Sequence, residues 1–424
     1  MSVGENHPSI ESLVDHLFRN SAGKMVSVLT RLFGSHNITL AEDVVQDTLL
    51  KAMQIWPRAG IPQNPEGWLM QVAKNRALDL IRRRSREIEL PEDTDPLLSS
   101  AWTRATRMEY LFLPHEIRDD QLRLMFTCCH PMLPQESRIA LTLKTLCGLG
   151  TKEIARAFLT SEETIQKRLY RAKQLLREHR IRFEIPDDGI SERFDSVLHV
   201  IYLLFNEGYN TTRTDAVIRQ DLMDESIRLG EMLLQNNRTN TPATQALLAL
   251  MYLHAARTDA RTDATGHILL LAEQDRRLWN QTMILKGLTH LHASARGTTI
   301  TRYHLEAGIA GCHATAESFA ATNWDRIVQL YDLLLQTQDH PVIRLQRGIA
   351  LCQSQSPQTA LAWLQQQGID DALADYPYLH ATYAELYKAL DDKPSARKAL
   401  TRAIQCPISE AEKHLLNDRL EKLT

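Results

Sequence analysis

Residues 138–182, RIALTLKTLCGLGTKEIARAFLTSEETIQKRLYRAKQLLREHRIR, carry two closely spaced breaks in a helical apolar pattern, and that punctuation admits few folds. Ile139, Leu141, Leu143 and Leu146 form an apolar helix that stops at Gly148-Leu149-Gly150, because glycine tolerates the positive φ at which helices end. A short second helix is expected from about Thr151 to Phe158. Thr160 or Ser161 then caps a third, and Thr160 with Glu163 has the spacing of a capping box. Two helices joined so tightly must cross steeply, as in a helix-turn-helix.

On the third helix Ile165, Leu169, Ala172 and Leu176 recur at i, i+4, i+7 and i+11 and make the buried stripe. Gln166, Lys167, Tyr170, Arg171 and Gln174 fall on the other face. Residues 161–182 hold seven Lys/Arg against three Glu, a net charge of +4, which suits a helix laid in the major groove between phosphates. Gln166 and Arg171 are of the types that read base edges. A basic helix alone is as easily a solvated surface; the glycine stop, the short preceding helix and the tight turn together point to DNA.

The 424 residues, 43% hydrophobic and 24% charged, suit a globular protein of two to four domains. No apolar run approaches the roughly 20 residues of a membrane span, and MSVGENHPSIES lacks the basic start and apolar core of an export signal. A cytoplasmic protein is the expectation. The six cysteines contain no CxxC pair, so neither a disulfide framework nor a zinc ribbon is indicated. Cys128-Cys129-His130 could offer metal ligands, but adjacent helical residues diverge and no second ligand pair lies nearby; buried cysteines at a helix end are the simpler reading. No metal and no cofactor is expected. The formal charge of −3 is split: residues 1–186 hold 26 basic and 23 acidic side chains, residues 187–424 hold 23 and 29.

Before the helix-turn-helix, residues 10–33 read as one or two helices. The next runs from about Leu40 to Ile55 and should end before Pro57, with Val44, Val45, Thr48, Leu49 and Ala52 inward. Asp43, Gln46, Asp47 and Leu50 make a separate acidic stripe, which by itself reads as a solvated face. After a proline-rich loop, a helix from Pro65 or Glu66 carries Trp68, Asn75 and Arg76 and ends in six basic residues and one Asp between Lys74 and Arg86. Compensating the helix dipole accounts for one or two of these; four arginines in residues 82–86 suggest a phosphate-facing patch. An aromatic beside a basic track is how unpaired strands are gripped.

The order AEDVVQDTLLKAMQIW, GWLMQVAKNRALDLIRRR, an acidic Pro/Ser-rich linker, then GLGTKEIARAFLTSEETIQKRLYRAK resembles regions 2 and 4 of bacterial extracytoplasmic-function (ECF) sigma factors of the sigma-70 superfamily. DDQLRLMFTCCHP and RFDSVLHVIYLLFNEGY resemble the subgroup with a long C-terminal tetratricopeptide-like extension. The resemblance implies an all-α fold: a region 2 bundle at 10–88, a linker at 89–113, a region 4 helix-turn-helix domain at 114–183 and a helical array at 188–424. It implies that Asp43, Gln46 and Asp47 dock on the β′ clamp helices of core RNA polymerase, with the β flap a further contact. Gln63, Asn64, Trp68, Asn75 and Arg76 fall where the family captures the melted −10 element, and Arg82 and Arg83 where it holds the adjacent backbone. Lys152, Arg156, Gln166, Lys167, Tyr170 and Arg171 fall where it binds the −35 duplex. Gly150 and Gln166 stand where many members have Ser and a basic residue, which bears on the promoter sequence.

The remainder reads as Leu/Ala-rich helices at 195–206, 222–234, 242–256, 268–292, 305–321 and 324–336. Gly348, Ala360 and Leu364 recur 36 residues later as Ala384, Ala396 and Leu400, near the tetratricopeptide period; a generic helical bundle is the other reading. Asn206-Glu207-Gly208-Tyr209 reads as a helix stop at Gly208, or else as an inter-domain latch. His290 and His292 diverge on a helix, and no phosphate-loop, zinc-protease, nucleophile-elbow or dinucleotide motif appears. These features point to a non-enzymatic sigma factor regulated in cis by its extension, with possible contact between the extension and the sigma regions; the alternative is a polymerase-independent helix-turn-helix regulator with a tetratricopeptide-like sensor.

Overall fold

The structure, a computed structural model, describes residues 10–84, 111–158, 160–185, 190–209, 220–263, 268–408 and 410–423. All but residues 111–113 of the expected linker lie outside that set. Eighteen α-helices, and no strand beyond a single bridge between Thr262 and Ile268, make up the described residues. The chain divides into two compact units, 1–201 and 202–424, and no described helix is long and apolar enough to cross a membrane.

The first unit is built around α1 (Ile10–Phe33), whose Met25, Val28, Leu29 and Phe33 are fully buried. Helices α2 (Ile38–Ala59) and α3 (Pro65–Arg84) pack against it, with Val44, Val45, Thr48 and Ala52 inward as their spacing predicts. Helix α2 passes through Pro57 to Ala59 instead of stopping before it. In the last turn a proline forfeits only one backbone bond, and Gly60, at φ 82°, closes the helix by donating its N–H to the Trp56 carbonyl at 2.9 Å.

Helices α4 (Pro114–Cys128), α5 (Gln135–Thr145), α6 (Thr151–Ala157) and α7 (Glu162–Glu178) follow. Gly148 ends the α5 segment at φ 66°, the conformation its position calls for. The Cys128 and Cys129 thiols are buried against the Thr145 and Thr142 hydroxyls, at 3.3 and 3.7 Å, and burial pushes Cys129 up to about 12. Helix α8 (Ile190–Tyr209) crosses the division between units. It includes Gly208, which is buried, helical and without a positive φ, so the helix runs through it and ends one residue later, at Tyr209.

Helix α1 also forms a seam with the α4–α7 module. Arg31 donates to Glu116 and approaches Asp120 at 3.4 Å, while Asp120 accepts from Arg123 at 2.6 Å. Lys173 of α7 pairs with the buried Glu42 of α2, and the Ser35 hydroxyl donates to the Ile181 carbonyl. Gly23 lies against the Leu146 carbonyl, where a Cβ would overlap the oxygen. Burial raises the Asp120 carboxyl to about 6, outweighing Arg31 and Arg123, and its Oδ2 is buried without a partner.

In the second unit α9 (Gln220–Leu234), α11 (Gln281–Ser294) and α12 (Arg302–Thr315) surround α10 (Pro242–Ala255). Residues 246–253 of α10 are buried on every side, the pattern of a central helix. Residues 268–280 are irregular apart from a 3₁₀ turn at Arg276–Leu278, correcting the helix expected from 268. Main-chain bonds Leu269 N–H to Arg261 O and Asn280 N–H to Ala256 O, both 2.8 Å, hold this segment, and the Asn280 side chain caps α11.

Helices α13 (Trp324–Thr337), α14 (Pro341–Ser354), α15 (Pro357–Gln366), α16 (Pro377–Ala389), α17 (Lys393–Gln405) and α18 (Glu410–Glu421) continue the array. The 36-residue repeat maps onto the hairpins α14–α15 and α16–α17, with all six repeated positions buried. A Cβ on Gly348 would come within 2.5 Å of Leu364, which is why the first hairpin has glycine there.

Two predictions concern the seam. Gly23→Ala would gain about 1 kcal/mol of helix propensity in a free helix. Overpacking against Leu146 costs about 1–3 kcal/mol, so urea unfolding should show net destabilisation; a stabilised variant would mean that α1 and Leu146 are not in contact. For Asp120, the native carboxyl keeps its proton between pH 4 and 6 while the unfolded one loses it, so its contribution to stability falls as pH rises through that window. Relative to wild type, Asp120→Asn should therefore gain roughly 1–3 kcal/mol from pH 4 to 7. Parallel stability curves would show that Asp120 titrates normally.

Candidate nucleic-acid interface

Helix α7 has one face committed to packing and one free for a ligand. Ile165, Leu169, Ala172 and Leu176 are buried, so Gln166, Lys167, Tyr170 and Arg171 are exposed. Tyr170 is 72% exposed, a large ring that core packing does not explain. Ser161 starts the helix: its Oγ accepts from the Thr164 N–H at 3.1 Å. Thr160 and Glu163 do not form the capping box their spacing suggests, and Glu163 instead pairs with Lys167 at 2.7 Å. Both members of that pair are about three-quarters exposed, so it is worth about 0.3–0.5 kcal/mol and yields readily to a phosphate.

The turn before α7 is fixed by side chains. Glu153 accepts from the Gly150 N–H at 2.6 Å, and the Thr151 hydroxyl donates to Glu162 at 2.7 Å. Lys152 is exposed on α6; Arg156 lies on the same helix, its side chain outside the described residues. Two polar residues of α7 are engaged elsewhere, Lys173 with Glu42 and Gln174 with Glu178 at 2.7 Å.

On the first module Asp43, Gln46 and Asp47 are exposed along one stripe of α2. Leu50 and Met53, 55% and 61% exposed, prolong it. Met53 was not singled out from the sequence, although it follows Leu50 by one helical step. Asp47 Oδ2 accepts from Arg76 Nε at 3.0 Å and Nη2 at 2.9 Å, so the acidic stripe and the α3 residues meet in one surface. Trp68 is half-buried and packs edge-on against Trp56 at 5.6 Å, which in turn lies 5.4 Å from Phe18. Asn75 accepts from Gln71 at 3.1 Å. Asn64 caps α3, accepting from the Gly67 N–H at 2.9 Å, and Gln63 beside it is exposed. Arg82 and Arg83 are on α3, with side chains outside the described residues.

Three family models match this chain. Sigma-70 region 2 covers residues 17–87, sigma-70 region 4 covers 123–176, and a family of unknown function, DUF6596, covers 193–295. An uncharacterized protein of Rhizobium meliloti is 36% identical over 97% of this chain and 96% of its own length. The ECF RNA polymerase sigma factor SigE of Mycolicibacterium smegmatis is 30% identical over 39% of this chain and 60% of its own. SigM of Bacillus subtilis, also an ECF RNA polymerase sigma factor, is 30% identical over 32% of this chain and 78% of its own. No solved structure matches. With both sigma-70 regions matched and an ECF relative covered over most of its length, the chain belongs to the ECF RNA polymerase sigma factors of the sigma-70 superfamily, with a long C-terminal helical extension.

Proposed function

We propose that the protein is a cytoplasmic promoter-specificity subunit whose two DNA-binding surfaces act on one promoter while α2 holds core polymerase. Asp43, Gln46 and Asp47 dock on the β′ clamp helices. Gln63, Asn64, Trp68, Asn75 and Arg76 engage the melted −10 element, with Arg82 and Arg83 on the adjacent backbone. Lys152, Arg156, Gln166, Lys167, Tyr170 and Arg171 take the −35 duplex, with the β flap contacting the region 4 module. The chain performs no bond chemistry in this role, and its helical extension regulates it in cis.

The observation carrying this reading is the exposed ridge on α2, where carboxylates stand beside Leu50 and Met53. Exposed apolar side chains rimmed by charge suit a protein partner, and a regulator working on DNA alone has no need of such a ridge. Engaging both elements also requires the seam of the first unit to part. Elements about 25 base pairs apart lie roughly 80 Å apart along B-DNA, whereas α1 packs directly against the region 4 module.

With purified core polymerase and promoter templates, Asp43→Ala and Asp47→Ala should weaken core binding while leaving promoter-duplex binding by the full chain unchanged. Arg171→Ala should weaken the duplex by about 1–3 kcal/mol if it is bidentate to a base. A full chain that forms no complex with core would overturn the sigma role, and equal loss of core and duplex binding in the Asp variants would overturn the docking assignment. Transcription output that is the same with and without residues 188–424 would remove regulation in cis.

A further inference from the structure

The second unit contains a group of arginines that its acidic residues leave alone. Arg257 donates to the Tyr209 hydroxyl at 2.6 Å, and its guanidinium lies 5.6 Å from the Trp279 ring centre. Arg261 donates to the Tyr209 carbonyl at 2.5 Å and stacks 4.0 Å above that ring. Arg276 stands 4.6 Å from Trp279 and donates to the His313 and Ala316 carbonyls, at 2.5 and 2.7 Å. His254 packs 4.8 Å from Tyr209. Two aromatic rings thus gather three cations and a histidine, with the backbone of His313 as a fifth wall.

Among the described residues none of these three arginines has a carboxylate partner, and the same unit supplies the contrast. Its other half-buried arginines are paired: Arg228 with Glu225 at 2.5 Å, Arg302 with Glu306 at 2.8 Å and Arg347 with Asp332 at 2.5 Å. Arg302 and Arg347 also lie over aromatic rings, so stacking on a ring does not replace the acid in this protein. The unpaired cluster instead keeps buried donors without acceptors: Arg257 Nε, Arg276 Nη2 and Trp279 Nε1. The Nδ1 atoms of His254 and His313 are likewise buried and unpartnered. A buried donor left without an acceptor keeps its desolvation cost uncompensated, and unpaired buried charge costs more. Burial and the neighbouring arginines hold His313 down to about 4 and His254 below its usual range, so at neutral pH both rings are uncharged and each has one nitrogen able to donate.

We propose that Arg257, Arg261 and Arg276, gathered on Tyr209 and Trp279, bind a small molecule through a carboxylate or phosphate group. Planar guanidiniums fork onto such oxyanions, and their stacking on the rings fixes the fork without consuming its N–H groups. The irregular segment 268–280 supplies Arg276 and Trp279. Tyr209, left over as the end of the NEGY string, is the platform on which two of the arginines meet. Apart from His313, every side chain of the cluster lies in the stretch matched by the family of unknown function. The site is independent of the sigma factor role, and its test involves neither polymerase nor DNA.

The full chain would be titrated by calorimetry with inorganic phosphate and, separately, with citrate, sodium chloride holding the ionic strength constant. One of the two should bind saturably with one-to-one stoichiometry and raise the melting temperature; phosphate would identify a phosphoryl ligand, citrate a carboxylate. Arg257→Gln and Arg276→Gln should each weaken binding at least tenfold, while Arg277→Gln, at an exposed position paired with Asp275, leaves it unchanged. Should Arg276→Gln fail to fold because its backbone acceptors are lost, Arg276→Lys keeps the charge but loses the fork and should still weaken binding several-fold. Absence of saturable binding by either anion overturns the proposal whatever the variants do. Wild-type affinity in the Arg257 and Arg276 variants, or an equal loss in Arg277→Gln, overturns it as a non-specific charge effect.

Discussion

The first unit depends on the contact between α1 and the region 4 module, in which charged pairs stand beside buried apolar side chains. Arg31 lies among Glu116, Asp120 and, through Asp120, Arg123, while Lys173 reaches the buried Glu42. Buried ion pairs of this kind contribute little net stability, because desolvation offsets most of the attraction. One carboxylate oxygen each of Glu42 and Asp120 remains buried without a partner. Each charged group in these pairs therefore has an almost equally good alternative in water. In the proposed role these pairs are the part of the contact most readily exchanged for another.

The seam also determines which faces remain available. It uses Lys173 from α7 and Glu42 from α2, each at an edge of the exposed polar stripe of its helix. Lys173 is seven residues beyond Gln166 and three beyond Tyr170, and Glu42 is four residues before Gln46, so only about 20–60° of helix rotation separates each engaged residue from its nearest free neighbours. The surfaces proposed for DNA and polymerase therefore border the contact, although their own side chains Gln166, Lys167, Tyr170, Arg171, Asp43, Gln46 and Asp47 are exposed. In the proposed role, the spacing of the promoter elements is what requires the seam to separate.

Much of this was legible because local chemistry decided it. Gly148 adopts the positive φ that the stop before the turn demanded, and the stripe Ile165, Leu169, Ala172, Leu176 is buried as its spacing requires. The repeat positions Gly348 and Ala384 are both buried at helix contacts, and at Gly348 even a Cβ would meet Leu364. The differences arise where two local answers are close in energy. Ser161 outcompetes Thr160 as the cap, Pro57 is tolerated in a final turn, and Gly208 remains helical because burial outweighs its poor propensity. The Leu/Ala-rich composition of 268–292 predicts helix throughout; main-chain bonds to Arg261 and Ala256 hold residues 268–280 otherwise. The seam pairs span 85 to 146 residues of sequence and have no local signal at all.

The arginine cluster was invisible for a related reason: Arg257 and Arg261 are four residues apart and read as an ordinary basic face, while Arg276 arrives from a segment taken for helix. The composition of that half makes the arrangement informative. Residues 187–424 contain 29 acidic side chains against 23 basic ones, so carboxylates were in excess when this unit found partners for its arginines. Elsewhere in the unit they were used, even where an aromatic ring was already in place beneath the guanidinium. Three half-buried cations left together without one, in a region where acids predominate, are not explained by shortage or by stacking. They are explained by a negative charge that the described residues do not provide.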